Sequence, residues 1–172
     1  MMKIKFPDSI EVSVNPRLAS YVFRKAQKEH KEGCPNETIY EHVEQCIYDI
    51  IKDEYFLLKV KNIVEVAEYA RWIAAGFICT MELAAKAVTY NEVVEAIRKG
   101  EDLKDIEKVP LLIIMLPELV MNAEWASAKL MDLLLRRKYF VMITTDTLLM
   151  RAAIGDAAAN FISEKAEGIF EV

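Results

Sequence analysis

At 172 residues, with 53% hydrophobic and 28% charged side chains, the sequence fits one domain with a sizeable core. A formal net charge of -5 argues against general nucleic-acid affinity, and no apolar run reaches the roughly 18 residues that a membrane span requires. Its three cysteines, Cys34, Cys46 and Cys79, have no disulfide-framework spacing, and no signal peptide opens the chain, so a reducing, cytoplasmic setting is expected.

Lys3–Phe6 and Ile10–Val14 alternate polar and apolar residues around Pro7-Asp8-Ser9, the pattern of a small hairpin. Asn15-Pro16 is a cap followed by proline, which predicts a helix from Arg17 to His30. After the break at Gly33-Cys34-Pro35-Asn36, a second helix is predicted from Glu37 to Asp53. Its apolar stripe is Ile39, Val43, Cys46, Ile47, Ile50 and Ile51. Tyr55–Val60 reads as a strand. A helix then runs from Asn62 to Ala75 with Ile63, Val66, Ala67, Ala70, Ile73 and Ala74 inward, and Gly76 is placed to stop it. Phe77–Lys86 fits strand or helix equally. Ala87-Val88-Thr89 reads as a short strand into a helix, for which Thr89 and Glu92 form a capping box and Gly100 the end.

Leu111-Leu112-Ile113-Ile114-Met115-Leu116 is the run of a strand buried on both faces. Asn122 and Glu124 suit a helix start, and Arg136-Arg137-Lys138 suit its last turn. Tyr139–Thr144 is a second strand, so this stretch is one βαβ crossover and the sheet is expected to be parallel. Leu148–Glu164 is helix former interrupted at Gly155-Asp156, and Ile169–Val172 reads as a last strand. Two parts result: residues 1–54, a hairpin with helices, and residues 55–172, an α/β core.

From about residue 55 onward, the order and spacing of these segments resemble an AAA+ ATPase core, closest to helicase loaders and transposase-helper ATPases. Leu111-Leu112-Ile113-Ile114 stands where that family has its Walker B strand. Leu133–Lys138 resembles its helix ending in an arginine-containing turn. Phe140–Asp146 resembles its sensor-1 strand, and Ile154-Gly155-Asp156 with Ile169–Val172 its closing helix and strand. The resemblance implies a parallel-sheet, P-loop-NTPase-like (AAA+-like) three-layer core carrying an N-terminal helical segment. It also implies side-by-side assembly, as a homo-oligomer or with an active ATPase homologue, in a replication or recombination complex.

The residues that would handle nucleotide are not in those places. A phosphate loop needs glycines, then Lys and Ser/Thr; here Lys59-Val60-Lys61-Asn62 leads straight into a helix. Met115-Leu116-Pro117-Glu118 stands in place of an acidic pair, and Asn160-Phe161 falls where an arginine finger is expected. The expectation is a catalytically inactive protein with no cofactor and no catalytic or metal-binding residue, which scaffolds or regulates a partner ATPase. Three rival readings are a nucleic-acid-binding accessory protein, an enzyme of unrelated chemistry on the same kind of sheet, and an all-helical interaction module. Arg136, Arg137 and Lys138 are the candidate partner or nucleic-acid contacts, against dipole compensation as the plainer role. His30, Cys34, His42 and Cys46 supply four soft ligands, but the spacing matches no common finger and Cys46 also continues an apolar stripe, so packing is favoured over zinc. Cys79 has no His or Asp near it in sequence and reads as a buried thiol rather than a nucleophile. Asp146 reads as a helix cap.

Overall fold

The structure, a computed structural model, describes residues 2–5, 11–14, 37–116 and 124–172. The expected helix from Arg17 to His30, and Cys34, Pro117, Glu118 and Asn122, lie outside these residues. Strand β1 (Met2–Lys5) pairs antiparallel with β2 (Glu11–Val14), Met2 opposite Val14. The elements that follow are α1 (Glu37–Asp53), β3 (Tyr55–Lys59), α2 (Ile63–Met81), β4 (Ala85–Thr89), α3 (Tyr90–Lys99), α4 (Lys104–Glu107) and β5 (Leu111–Met115). A 3-10 turn (Glu124–Ala126) leads into α5 (Ser127–Leu135), then β6 (Tyr139–Thr144), α6 (Thr147–Ile154), α7 (Asp156–Lys165) and β7 (Phe170–Glu171).

Strands β3 to β7 form one all-parallel sheet in the order β4-β5-β6-β3-β7. Alternation along each strand sends side chains to two cores. Phe56, Leu58, Ile113, Val141 and Ile143 pack with α1 and α2, through Ile50, Ala70, Ile73 and Phe77. Leu57, Leu112, Ile114, Phe140 and Met142 pack with α3 to α7, through Val94, Leu134, Ile154 and Ile162. The sheet is therefore the middle of three layers. Both faces are covered, which is why Leu111–Leu116 has no polar residue.

Three local expectations are corrected. Helix α2 does not end at Gly76 but runs on to Met81, resolving part of the ambiguous Phe77–Lys86 stretch as helix and Ala85–Thr89 as strand. Phe77 and Ile78 continue the buried stripe and are fully enclosed. Burying two such side chains stabilises by about 3–6 kcal/mol, more than the roughly 1 kcal/mol an interior glycine costs. The stop comes at Glu82, in a left-handed conformation (φ 56), whose N–H donates to the Ile78 carbonyl. Second, Ile63 is not inward; at the first helical position it is 37% exposed. Third, Arg136 and Arg137 are not in the last turn of α5, which ends at Leu135. The capping box is as read: the Glu92 N–H donates to the Thr89 hydroxyl at 3.2 Å and the Thr89 N–H to the Glu92 carboxylate at 2.7 Å.

Candidate functional site at the carboxyl edge of the sheet

The connection leaving β3 passes over the α1/α2 face to reach the far edge strand β4, whereas the one leaving β6 passes over the opposite face to reach β7. Strands β3 and β6 are neighbours, Lys59 opposite Thr144. Their carboxyl ends thus part toward opposite layers, the arrangement that gives open α/β sheets their ligand crevice. Lys59-Val60-Lys61-Asn62 leads out of β3 on one side of it, and Thr144-Thr145-Asp146 out of β6 on the other.

The backbone here closes on itself. The Val60 N–H donates to the Thr144 carbonyl at 2.9 Å, and the Val172 N–H to the Lys59 carbonyl at 3.1 Å. Asn62 caps α2, its Oδ1 accepting from the N–H groups of Val64 and Glu65 at 3.1 Å each. Glu65 in turn accepts from the Lys61 N–H at 3.1 Å. The Val64 and Glu65 N–H groups are donors that a helix N-terminus would present to a phosphate; both are occupied by the Asn62 side chain, and the Lys61 N–H just before the cap by Glu65. Lys59 reaches the Glu171 carboxylate at 3.1 Å.

The β6 side repeats the plan. Asp146 caps α6, accepting from Leu148 N–H at 2.7 Å and Leu149 N–H at 3.4 Å, as its sequence position predicted. Thr144 is fully buried, and its hydroxyl donates to the Asp146 carbonyl at 2.8 Å. At the end of β5, Met115 and Leu116 are buried, and the Leu116 N–H donates to the Ile143 carbonyl at 2.9 Å. Strand β5 and Leu116 themselves contribute no carboxylate, and Glu118 lies outside the described residues. What the two first turns expose is apolar: Val64 is 70% and Leu148 75% accessible. Sequence reasoning missed this pair, although apolar residues two positions after an Asx cap were a visible signal.

The basic run divides three ways. Arg136 is exposed and pairs with Asp132 at 3.0 Å. Arg137 turns inward and donates to the carbonyls of Ile106 and Val109, which ties the α4–β5 turn to the start of β6. Burial pulls its guanidinium down to about 10. Tyr55 joins this node, its hydroxyl donating to the Leu134 carbonyl. Burial raises the Tyr55 phenol, and the nearby Arg137 charge opposes that rise. Lys138 lies over the Tyr139 ring, 5.2 Å from its centroid. Arg137 therefore has a structural role that needs no partner, while Arg136 and Lys138 stay at the surface. Asn160 accepts from the Arg151 guanidinium at 2.9 Å, and Phe161 packs edge-on against Tyr55.

Of the four soft ligands, His30 and Cys34 lie outside the described residues. Cys46 is fully enclosed in the α1/α2 core, and burial pushes its thiol up to about 12, with Asp49 adding to the rise. His42 Nδ1 lies 3.1 Å from the Tyr69 hydroxyl, across the α1–α2 contact. Among the described residues no group of three or more His, Cys, Asp or Glu is placed to hold a metal. No helix of the described residues is long and apolar enough to cross a membrane.

Comparison with solved structures fits this geometry. A structure described as a primosome component from Streptococcus pyogenes serotype M3 superposes with a TM-score of 0.55 at 10% identity, over 78% of this chain and 79% of that one. DnaI superposes with a TM-score of 0.50 at 14% identity, over 96% of this chain and 86% of that one. The chain shares the fold of these two structures, a parallel sheet between helical layers. No protein-family model and no curated protein sequence matches the chain. The α/β parallel-sheet class read from the sequence is the one found, and the all-helical alternative is excluded by the five-stranded sheet.

Proposed function

We propose that this AAA+-like chain is catalytically inactive and works by protein–protein contact, as a scaffold or regulator within a DNA replication or recombination complex. The observation that carries the reading is the crevice between β3 and β6. Where a nucleotide-driven core needs free backbone donors and a metal-holding acid, Asn62 and Glu65 fill the start of α2, and β5 ends in buried Met115 and Leu116. Freeing those donors would mean losing a cap worth about 1 kcal/mol and bringing the phosphates against the Glu65 carboxylate. The replication setting is supported by the likeness in fold to the primosome component and DnaI. A partner ATPase and assembly side by side are inferences from that fold alone.

Titration calorimetry with ATP and magnesium tests the inactive half of the proposal. The expected result is no heat of binding at micromolar nucleotide. Micromolar, magnesium-dependent affinity, or phosphate release above background, overturns it. The partner half is tested by purifying the tagged chain from its native cell under gentle salt. A co-purifying ATPase with an intact phosphate loop supports the proposal, and recovery of the chain alone counts against it.

A further inference from the structure

We propose that a groove at the amino edge of the sheet docks a partner segment in which arginine or lysine is flanked by aliphatic residues. This edge lies at the opposite ends of the strands from the crevice described above. The groove, about 270 Å³, opens between the last turn of α1 and the turn joining α7 to β7. Its floor is apolar: the Phe56 and Phe170 rings stand 5.7 Å apart between centroids, and Ile169 at its rim is 44% exposed. Its mouth carries three carboxylates, Asp49, Asp53 and Glu167.

Among the described residues the cation paired with these acids is Lys52, 3.1 Å from Asp53, and its own side chain is 58% exposed. Asp49 accepts a neutral hydrogen bond from Gln45 at 2.9 Å. Among the described residues, one ammonium is paired at these three acids, which leaves the mouth negative, and this excess chooses the occupant. An acidic segment is repelled. A purely aliphatic one would desolvate carboxylates without replacing their water, which is costly. A long basic side chain satisfies both halves of the groove, its methylene stem on Phe170 and Ile169 and its charged head among the acids. Flanking aliphatic residues extend the apolar contact along the exposed rim.

The inference rests on the reading that the chain acts through protein contact, and it names one surface and the chemistry of what meets it. The test is fluorescence anisotropy of the full chain with a fluorescein-labelled Leu-Arg-Leu-Arg-Leu peptide, at low and physiological salt. Saturable binding is expected. It should weaken about tenfold in the Asp49→Asn/Glu167→Gln double variant and about threefold in Ile169→Ala. The distant acid pair Glu101→Gln/Asp102→Asn should leave it unchanged. Should Asp49→Asn disturb folding, as a thermal melt would reveal, Glu167→Gln alone at its exposed position reads the same effect. Absence of saturable binding overturns the proposal. Equal losses in the two acid pairs would reduce it to net charge, and equal affinity for spermine would remove the role of the floor; either outcome overturns it. ATP calorimetry on the same preparation separates the two claims. A chain that binds ATP refutes the inactive reading whatever the groove does, and one that binds neither ATP nor peptide refutes the groove alone.

Discussion

The two ends of the sheet are built on opposite plans. At the carboxyl edge, where open α/β sheets take ligands, polar side chains serve the backbone and apolar ones face out: Asn62 and Asp146 cap helices while Val64 and Leu148 stand in solvent. At the amino edge the polarity is reversed. A charged guanidinium, Arg137, is drawn inward, and carboxylates ring an aromatic-floored groove. A parallel sheet aligns every strand and every crossover helix the same way, so its two rims differ chemically even before side chains are chosen. In this chain side-chain oxygens of Asn62, Glu65 and Asp146 accept from backbone N–H groups at the carboxyl rim.

That contrast breaks most visibly at Arg137. Replacing it with Met leaves the Ile106 and Val109 carbonyls without their donor, and should cost about 2–4 kcal/mol in urea unfolding. Arg137→Lys should recover only part, because one ammonium cannot reproduce a fork spanning two carbonyls. A cost below about 0.5 kcal/mol would show the amino-edge node to be ornamental.

Alkaline unfolding reads the layer beside that edge. In the folded chain Cys46 keeps its proton up to about pH 12, whereas in the unfolded chain it ionises near its ordinary value of 9.0. A raised pKa contributes stability that is complete below pH 9 and is lost as the pH climbs toward 12. The expected loss across that window is up to about 4 kcal/mol from this group. Cys46→Ala should flatten the stability-versus-pH slope between pH 9 and 12, whatever it does to stability at pH 7.

The carboxyl edge is sharpened by its caps. Asn62→Ala and Asp146→Ala should each cost about 1 kcal/mol. If the crevice is closed as drawn, Asn62→Ala should not by itself create affinity for inorganic phosphate, since the Glu65 carboxylate remains; weak phosphate binding by the double variant Asn62→Ala/Glu65→Gln would show how little separates a plugged rim from an open one. Glu82→Gly should raise stability by roughly 1 kcal/mol, because glycine adopts the left-handed backbone without Cβ strain. The smallest effect is expected for Arg136→Ala, below about 0.5 kcal/mol, since an exposed ion pair contributes little.

Periodicity carried the layers: the stripes Val43–Cys46–Ile47–Ile50 and Ala70–Ile73–Ala74, and the runs Leu111–Leu116 and Tyr139–Thr144, are buried as read. Caps were legible too, since Thr89 with Glu92 and the Asp at position 146 are local chemistry. Gly76 misled because burial of Phe77 and Ile78 across the sheet outweighs a local helix-breaking preference. Arg137 misled because three adjacent bases look alike in sequence, and only the tertiary turn of α4 decides which one faces two carbonyls. The groove was illegible, as it joins Asp49 and Asp53 to Glu167 and Phe170 across most of the chain.

Strand order also constrains how the molecule comes to exist. β3 is the first strand of the parallel sheet to emerge during synthesis, yet its neighbours are β6 and β7, with β4 and β5 placed beyond β6. Until residues 139–144 have been made, β3 has no sheet partner on either flank. A nascent chain released before that point holds Tyr55–Lys59 as an unpaired apolar ribbon, so truncation or a translational pause upstream of β6 should yield aggregate rather than a smaller folded unit.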